Sequence, residues 1–157
     1  IDQLSAKARQ LKQSHDIQCI LVDYLQLMDH PGLTSECPSL LDRQNAMAEL
    51  SSGIKALAEE LQIPVIVAFQ LSPPPEDRPG NRPRFSDLRE ARAIGEDADV
   101  LAFLHNEDYF HRGEEGYVFT GITELIVAKN TGGAIGMVPL VFRAPFLRFE
   151  AEQLGAP

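Results

Sequence analysis

The sequence has no apolar run long enough to cross a bilayer, which takes about 18 or more consecutive apolar residues. Its first residues hold no basic stretch followed by an apolar one. Neither a membrane span nor a secretory signal is readable, so a soluble, cytoplasmic protein with no membrane partner is expected. Cysteine is scarce: Cys19 sits in an apolar stretch and Cys37 in a polar one. Two isolated thiols make neither a C-x-x-C metal pattern nor a disulfide framework, and both are expected to be free. Basic charge is also in short supply, with 14 Lys and Arg against 23 Asp and Glu and a net charge of −9. That excludes a surface that coats nucleic acid by charge alone, and any nucleic-acid contact must be local. No internal repeat is found. With 157 residues, 44% of them hydrophobic, the chain can bury one core.

What is present is an alternation of strand and helix patterns, the signature of an α/β sheet with helices packed on it. Leu4, Ala8 and Leu11 recur at helical spacing within residues 1–14. A first strand is expected over 17–25. After a loop over 29–38, Ser39 and Asp42 of "SLLD" can form a capping box, and Met47, Leu50, Ile54, Leu57 and Leu61 make one apolar stripe. A helix there should cover the sheet. "VIVAFQ" at 65–70 is expected to be the second strand, buried on both faces because of its β-branched run. "SPPPEDRPGNRPRF" at 72–85 holds five of the eleven prolines and reads as a loop. Ser86 is expected to cap a short helix running through Ile94, and "ADVLAFLHN" to be the third strand, followed by the polar loop "EDYFHRGEEG". "TELIVAKN" and "GMVPLVFRA" pair as an antiparallel hairpin, a last strand covers 146–149, and "EAEQLGAP" is expected to fray.

The chemistry concentrates in "CILVDYLQLMDHPG", residues 19–32. An apolar strand that ends in an acid, within an α/β sheet, is how nucleotide-binding enzymes hold a magnesium-bound water, and Asp23 fits that Walker B role. An Asp at a strand end is also a common turn former, so the feature alone leaves both readings open. Gln70 ends a second strand, and parallel neighbours would bring Asp23 and Gln70 to the same edge, where doubly wound sheets bind ligands. Arg78, Arg82, Arg84, Arg89 and Arg92 are five of the fourteen basic residues. They fit either a solvated, proline-stiffened loop or a phosphate-contacting one. His105, Glu107, Asp108 and His111 have no recognised metal-ligand spacing, and a polar loop explains them. "NTGGAIG" lacks the Lys-Ser/Thr of a P-loop and is read as a hairpin turn. Tyr109, Phe110, Tyr117 and Phe119 either stack on bases or pack on the sheet.

Five stretches, "LVDYLQLM", "ELSSGIKALAEELQIPVIVAFQLS", "NRPRFSDLREARAIGEDADVLAFLH", "ELIVAKNTGGAIG" and "RFE", resemble successive parts of the DnaB-type replicative DNA helicases. These are hexameric ring motors with a RecA-like ATPase domain, and the resemblance runs in order over residues 1–150. It implies an α/β, RecA-like P-loop ATPase core: a mostly parallel sheet with a C-terminal antiparallel hairpin, lacking the P-loop strand, followed by a tail over 151–157. By resemblance, Asp23 is the Walker B aspartate that supports magnesium, with Tyr24, Leu25 and Gln26 completing the motif. Gln70 is the glutamine that senses the nucleotide phosphate and relays its state to the DNA-binding loops. Arg89 and Glu90 match a channel loop that touches single-stranded DNA, and Lys129 matches a basic residue that reaches the neighbouring subunit's nucleotide.

Three departures accompany the matches. The family's G-x-x-x-x-G-K-[ST] and its catalytic glutamate fall before the position matching Ile1, and neither motif occurs here. The isolated chain is therefore expected to be inactive. It is read as the distal half of a motor domain, from a fragment or a divergent relative. Thr131 stands at the arginine-finger position of the nucleotide site, and Arg92 stands where the DNA loop usually has glycine. Removal of the P-loop strand should leave open edges on the strand carrying Gln70 and on the strand at 100–104. The resemblance implies an ATP-dependent DNA helicase using ATP and Mg2+, with single-stranded DNA, further copies of itself, and a primase or helicase loader as partners. The alternative is a non-catalytic, helicase-derived interaction module.

Overall fold

The computed structural model describes residues 1–30, 39–72, 78–111 and 113–151, with Pro79 and Glu90 described by backbone alone. Helix α1 (Asp2–His15) ends at Asp16, whose left-handed backbone lets its N–H reach Lys12 O at 3.1 Å. Helix α2 (Leu40–Leu61) starts as its sequence dictates. Asp42 N–H donates to Ser39 Oγ (3.1 Å) and Ser39 N–H donates to the Asp42 carboxylate (3.0 Å), the reciprocal capping box. Its apolar stripe buries Ala46, Met47, Leu50, Ile54 and Leu57.

The chain divides into two compact units, one of residues 1–72 and 88–98, the other of 73–87 and 99–157. In the first unit, strands β1 (Ile20–Val22) and β2 (Val65–Val67) pair in parallel, Ile20 opposite Val65 and Val22 opposite Val67. Leu25, Met47, Leu50 and Ile54 form the buried core, and Val65, Val67, Phe69 and Ile94 pack against it. Burial of β2 on both faces is not what the structure has. Successive strand side chains alternate in direction, so Val65 and Val67 meet the core while Ile66 is 56% exposed opposite an exposed Leu21. Both strands are shorter than expected. The chain leaves β1 at Asp23 for a 3-10 turn over Leu25–Leu27.

The expected helix from Ser86 is instead a 3-10 segment, Phe85–Ala91, followed by helix α3 (Arg92–Asp97). Arg89 divides the run with a backbone of φ 43° and ψ −107°, outside any helical conformation.

The second unit is an antiparallel sheet in the order β3 (Val100–His105), β4 (Ile122–Asn130), β5 (Gly136–Arg143), β6 (Arg148–Ala151). The β4–β5 hairpin is as expected. Helix α4 (Glu107–Phe110), capped by Asn106, interrupts the expected polar loop. The last strand begins two residues late because Pro145 lies in a 3-10 turn and Leu147 is left-handed (φ 48°). The fold is α/β as expected, but among the described residues only the β1–β2 ladder is parallel, because β3 and β6 flank the hairpin with antiparallel ladders. Among the described residues β2 pairs only with β1 and β3 only with β4, so each keeps the open edge expected of it. No helix of the described residues is long and apolar enough to cross a membrane. Cys19 is exposed and free, while Cys37 and the tail from 152 lie outside the described residues.

Candidate functional site

Parallel pairing sets the first site. Because β1 and β2 run the same way, Asp23 after Val22 and Gln70 beyond Val67 leave one carboxyl edge of the sheet. The ladder continues past the strands: Ala68 N–H donates to Val22 O (2.9 Å), and Leu25 N–H to Ala68 O (3.0 Å). Gln26 then closes the edge with a two-way bond. Its Nε2 donates to Gln70 O (2.8 Å), and its Oε1 accepts from Gln70 N–H (3.3 Å). One residue before it, Leu25 is 1% exposed in the core and anchors the turn. Sequence reasoning reached Gln26 only as part of a motif; no pattern in the sequence signals that it bonds Gln70, 44 residues away.

The Asp23–Tyr24 peptide is cis. Asp23 is exposed, and its carboxylate has no hydrogen bond or ion pair among the described residues. No group of three or more His, Cys, Asp or Glu side chains that could hold a metal ion exists among those residues. A single uncommitted carboxylate suits magnesium, which keeps several waters and is bound through one or two carboxylates plus substrate phosphates. The donor set therefore fits Mg2+ carried with a nucleotide, and it does not form a cage for a resident ion.

The five arginines of 78–92 are not equivalent. Arg78 and Asp87 pair through two bonds (Nη1–Oδ2 2.5 Å, Nη2–Oδ1 2.8 Å) with side chains only 11% and 12% exposed. The bond from Arg78 holds the Asp87 carboxyl below its ordinary range against the opposing effect of burial. The same carboxylate accepts from Arg84 N–H at 2.7 Å. Arg82 forks onto Glu124 of β4 (2.6 and 2.7 Å), and Arg92 bonds Glu96 one turn along α3 (3.0 Å). Arg84 and Arg89 are exposed. The Glu90 side chain lies outside the described residues.

Lys129 and Thr131 belong to the second unit, at the end of β4 and the start of its turn. Thr131 N–H donates to Asp99 O (2.9 Å). Asn130 holds the turn from inside, donating to Ala134 O (3.1 Å) and accepting from Gly132 N–H (3.1 Å). A Cβ at Gly133 would lie 3.0 Å from Asn130 Nδ2, so a side chain there would push on the Asn130 amide that holds the turn. Arg143, expected just beyond the hairpin, is the last residue of β5 and is engaged by Glu150 of β6 (3.0 Å).

The loop after β3 is more ordered than its composition suggests. Buried Asp108 accepts from Tyr117 Oη (2.9 Å), Thr120 N–H (3.0 Å), Thr120 Oγ1 (3.2 Å) and Gly121 N–H (2.6 Å). Burial would raise its pKa, but these bonds outweigh that and hold it below the usual carboxylate value. His111 bonds Glu114 and Glu107, which raise its pKa in that order, and its ring stacks on Tyr117 at 4.3 Å. Tyr109 and Phe119 remain largely exposed. A cavity of about 180 Å³ on this sheet, lined by Leu104, Asn106, Tyr109, Thr123, Phe142 and Phe149, holds none of the expected site residues.

A family model described as the DnaB-like helicase C terminal domain matches residues 1–151. The chain is 40% identical over 149 residues to the replicative DNA helicase DnaB of Geobacillus stearothermophilus, covering 95% of this chain and 31% of that protein. It is 39% identical over 149 residues to the replicative DNA helicase DnaC of Bacillus subtilis (strain 168), with the same coverage. The chain thus spans about a third of the length of these curated relatives. Among solved structures, one described as an ATPase domain is similar with a TM-score of 0.80 at 32% identity, over 97% of this chain and 51% of that one. A DnaB-like replicative helicase, described with its interactions with primase, is similar with a TM-score of 0.78 at 33% identity, over 94% and 34%.

Proposed function

The chain belongs to the DnaB-like helicase C-terminal domain family, and from that premise we propose that it serves an ATP-dependent replicative DNA helicase. In this reading six copies form a ring that unwinds duplex DNA by moving along one strand, and the work is done in the cytoplasm. The observation that carries the reading is the shared edge of Asp23 and Gln70, joined by Gln26. Asp23 supports the magnesium that accompanies ATP, and that ion neutralises charge on the transferred phosphoryl group. Gln70 senses the phosphate. Gln26, by holding both backbone polar groups of Gln70, ties the sensor's strand end to the strand end that carries Asp23.

Arg89, Glu90 and Arg92 serve the DNA loop. The strained backbone of Arg89 accords with that role, since sparsely populated conformations cluster where a chain must present a side chain to a ligand. Lys129 acts toward the neighbouring subunit's nucleotide, with Thr131 in the finger position. No G-x-x-x-x-G-K-[ST] run occurs in these 157 residues, so the isolated chain should hydrolyse no ATP. A primase is a fitting partner because a solved relative is described with one, and a helicase loader is a second. A non-catalytic interaction module is the competing reading, favoured by the uncharged Thr131. A strand-displacement assay on a forked duplex with the full-length protein separates the two. ATP-dependent unwinding that Asp23→Asn abolishes supports the motor, and a protein that binds DNA but never unwinds it supports the module.

A further inference from the structure

We infer that Arg84 is a further phosphate-contacting residue for single-stranded DNA, an inference that rests on the DNA-loop reading above. Arg84 lies outside the "DLRE" run that the resemblance assigns to the DNA loop, so nothing in that resemblance gives it a role. The neighbouring charges are already spent. Arg78 is largely buried against Asp87, and Arg82 is forked onto Glu124. A guanidinium already matched by a carboxylate presents a dipole rather than a charge to an approaching anion. Such a residue adds little to counterion release.

Arg84 is arranged differently. Its side chain is exposed and has no hydrogen-bond or ion-pair partner among the described residues. Its backbone is nevertheless tied down: the N–H donates to Asp87 Oδ2 at 2.7 Å, onto the carboxylate that Arg78 anchors in a part-buried pair. Pro83 restricts the backbone immediately before it. A side chain on a backbone held in place leaves less freedom to lose on binding than one on a mobile loop. In a chain of net charge −9, this exposed cation, which acts on Asp87 through space but is hydrogen-bonded to no carboxylate, is a point of attraction for anions. The planar fork of a guanidinium matches phosphate oxygens in pairs. Five positions further along the chain is Arg89, the residue already assigned to DNA phosphate.

The test is a salt titration of oligo-dT binding to the full-length protein, wild type beside Arg84→Ala, Arg84→Lys and Arg89→Ala. The slope of log affinity against log salt should fall by about 0.7 for Arg84→Ala, the value for one phosphate on a single strand, and should be retained by Arg84→Lys. Arg89→Ala should lower it by a similar amount. If Arg89→Ala lowers the slope and Arg84→Ala does not, the inference about Arg84 is overturned while the DNA-loop reading stands. If neither lowers it, both are overturned. An Arg84→Ala protein that instead weakens ATP binding with an unchanged DNA slope also overturns the inference. Because the Arg84 side chain is exposed, the melting temperature of Arg84→Ala should match the wild type, which separates lost contact from lost fold.

Discussion

Asp108 and His111 sit three residues apart, and pH acts on them in opposite directions. The four bonds to Asp108 are made to its ionised form, so they stabilise the loop fully above the unfolded carboxylate range of about pH 4. That stability is lost as pH falls through the lower folded value. His111 is the reverse case. Its bonds to Glu114 and Glu107 favour the charged ring, so their contribution is complete below about pH 6.5 and is lost as pH rises through the higher folded value. Asp108→Asn should cost roughly 1–3 kcal/mol, because an amide N–H cannot accept from Gly121 N–H or Thr120 N–H and leaves a buried donor unpaired. Thermal melts across about pH 3–8 check both: Asp108→Asn should flatten the acid limb, and His111→Gln the limb above neutrality. Neither role was legible in "EDYFHRGEEG", since spacing alone does not reveal that Asp108 turns inward to meet Thr120 and Gly121 while His111 pairs on the surface.

At the scale of elements, the helix α2 and the β4–β5 hairpin were read correctly because their signals are local. Ser39 and Asp42 are three apart, and the turn is closed by Asn130 against its immediate neighbours. Ser39→Ala should therefore cost about 1 kcal/mol by thermal or denaturant unfolding, the usual loss for a helix cap. The misread elements depend on distant partners or backbone geometry. β1 stops at Val22 because the chain turns to send Leu25 into the core, and the 86–94 helix breaks at Arg89, whose conformation nothing in "SDLRE" announces. The hairpin also carries the clearest kinetic expectation. A trans arginine contributes roughly a thousandfold or more to turnover in phosphoryl transfer, and a threonine hydroxyl supplies no charge. Thr131→Arg in the full-length protein should raise steady-state ATP turnover at least about tenfold with little change in nucleotide affinity, because the finger acts mainly in the transition state. Arg143 is committed to Glu150 and is a poor substitute. Loss of turnover on Arg143→Ala with no gain from Thr131→Arg would show that the charge comes from there.

For the whole molecule, the shared edge is the part of the site most legible in the sequence, since Asp23 and Gln70 each end an apolar run and parallel pairing of the two strands was expected from the α/β pattern. The bridge between them was out of reach. Gln26 is a polar residue in a greasy stretch, and only the register Val22–Val67 shows why its side chain meets Gln70 rather than solvent. In the proposed motor this edge couples nucleotide to DNA, with Gln26 as the tie. The most direct measurement is steady-state phosphate release by the full-length protein, with and without single-stranded DNA, for wild type, Asp23→Asn and Gln26→Ala. DNA should stimulate the wild type, Asp23→Asn should be inactive in both conditions, and Gln26→Ala should keep its basal rate but lose the stimulation. Full stimulation of Gln26→Ala, or wild-type turnover by Asp23→Asn, would contradict that coupling.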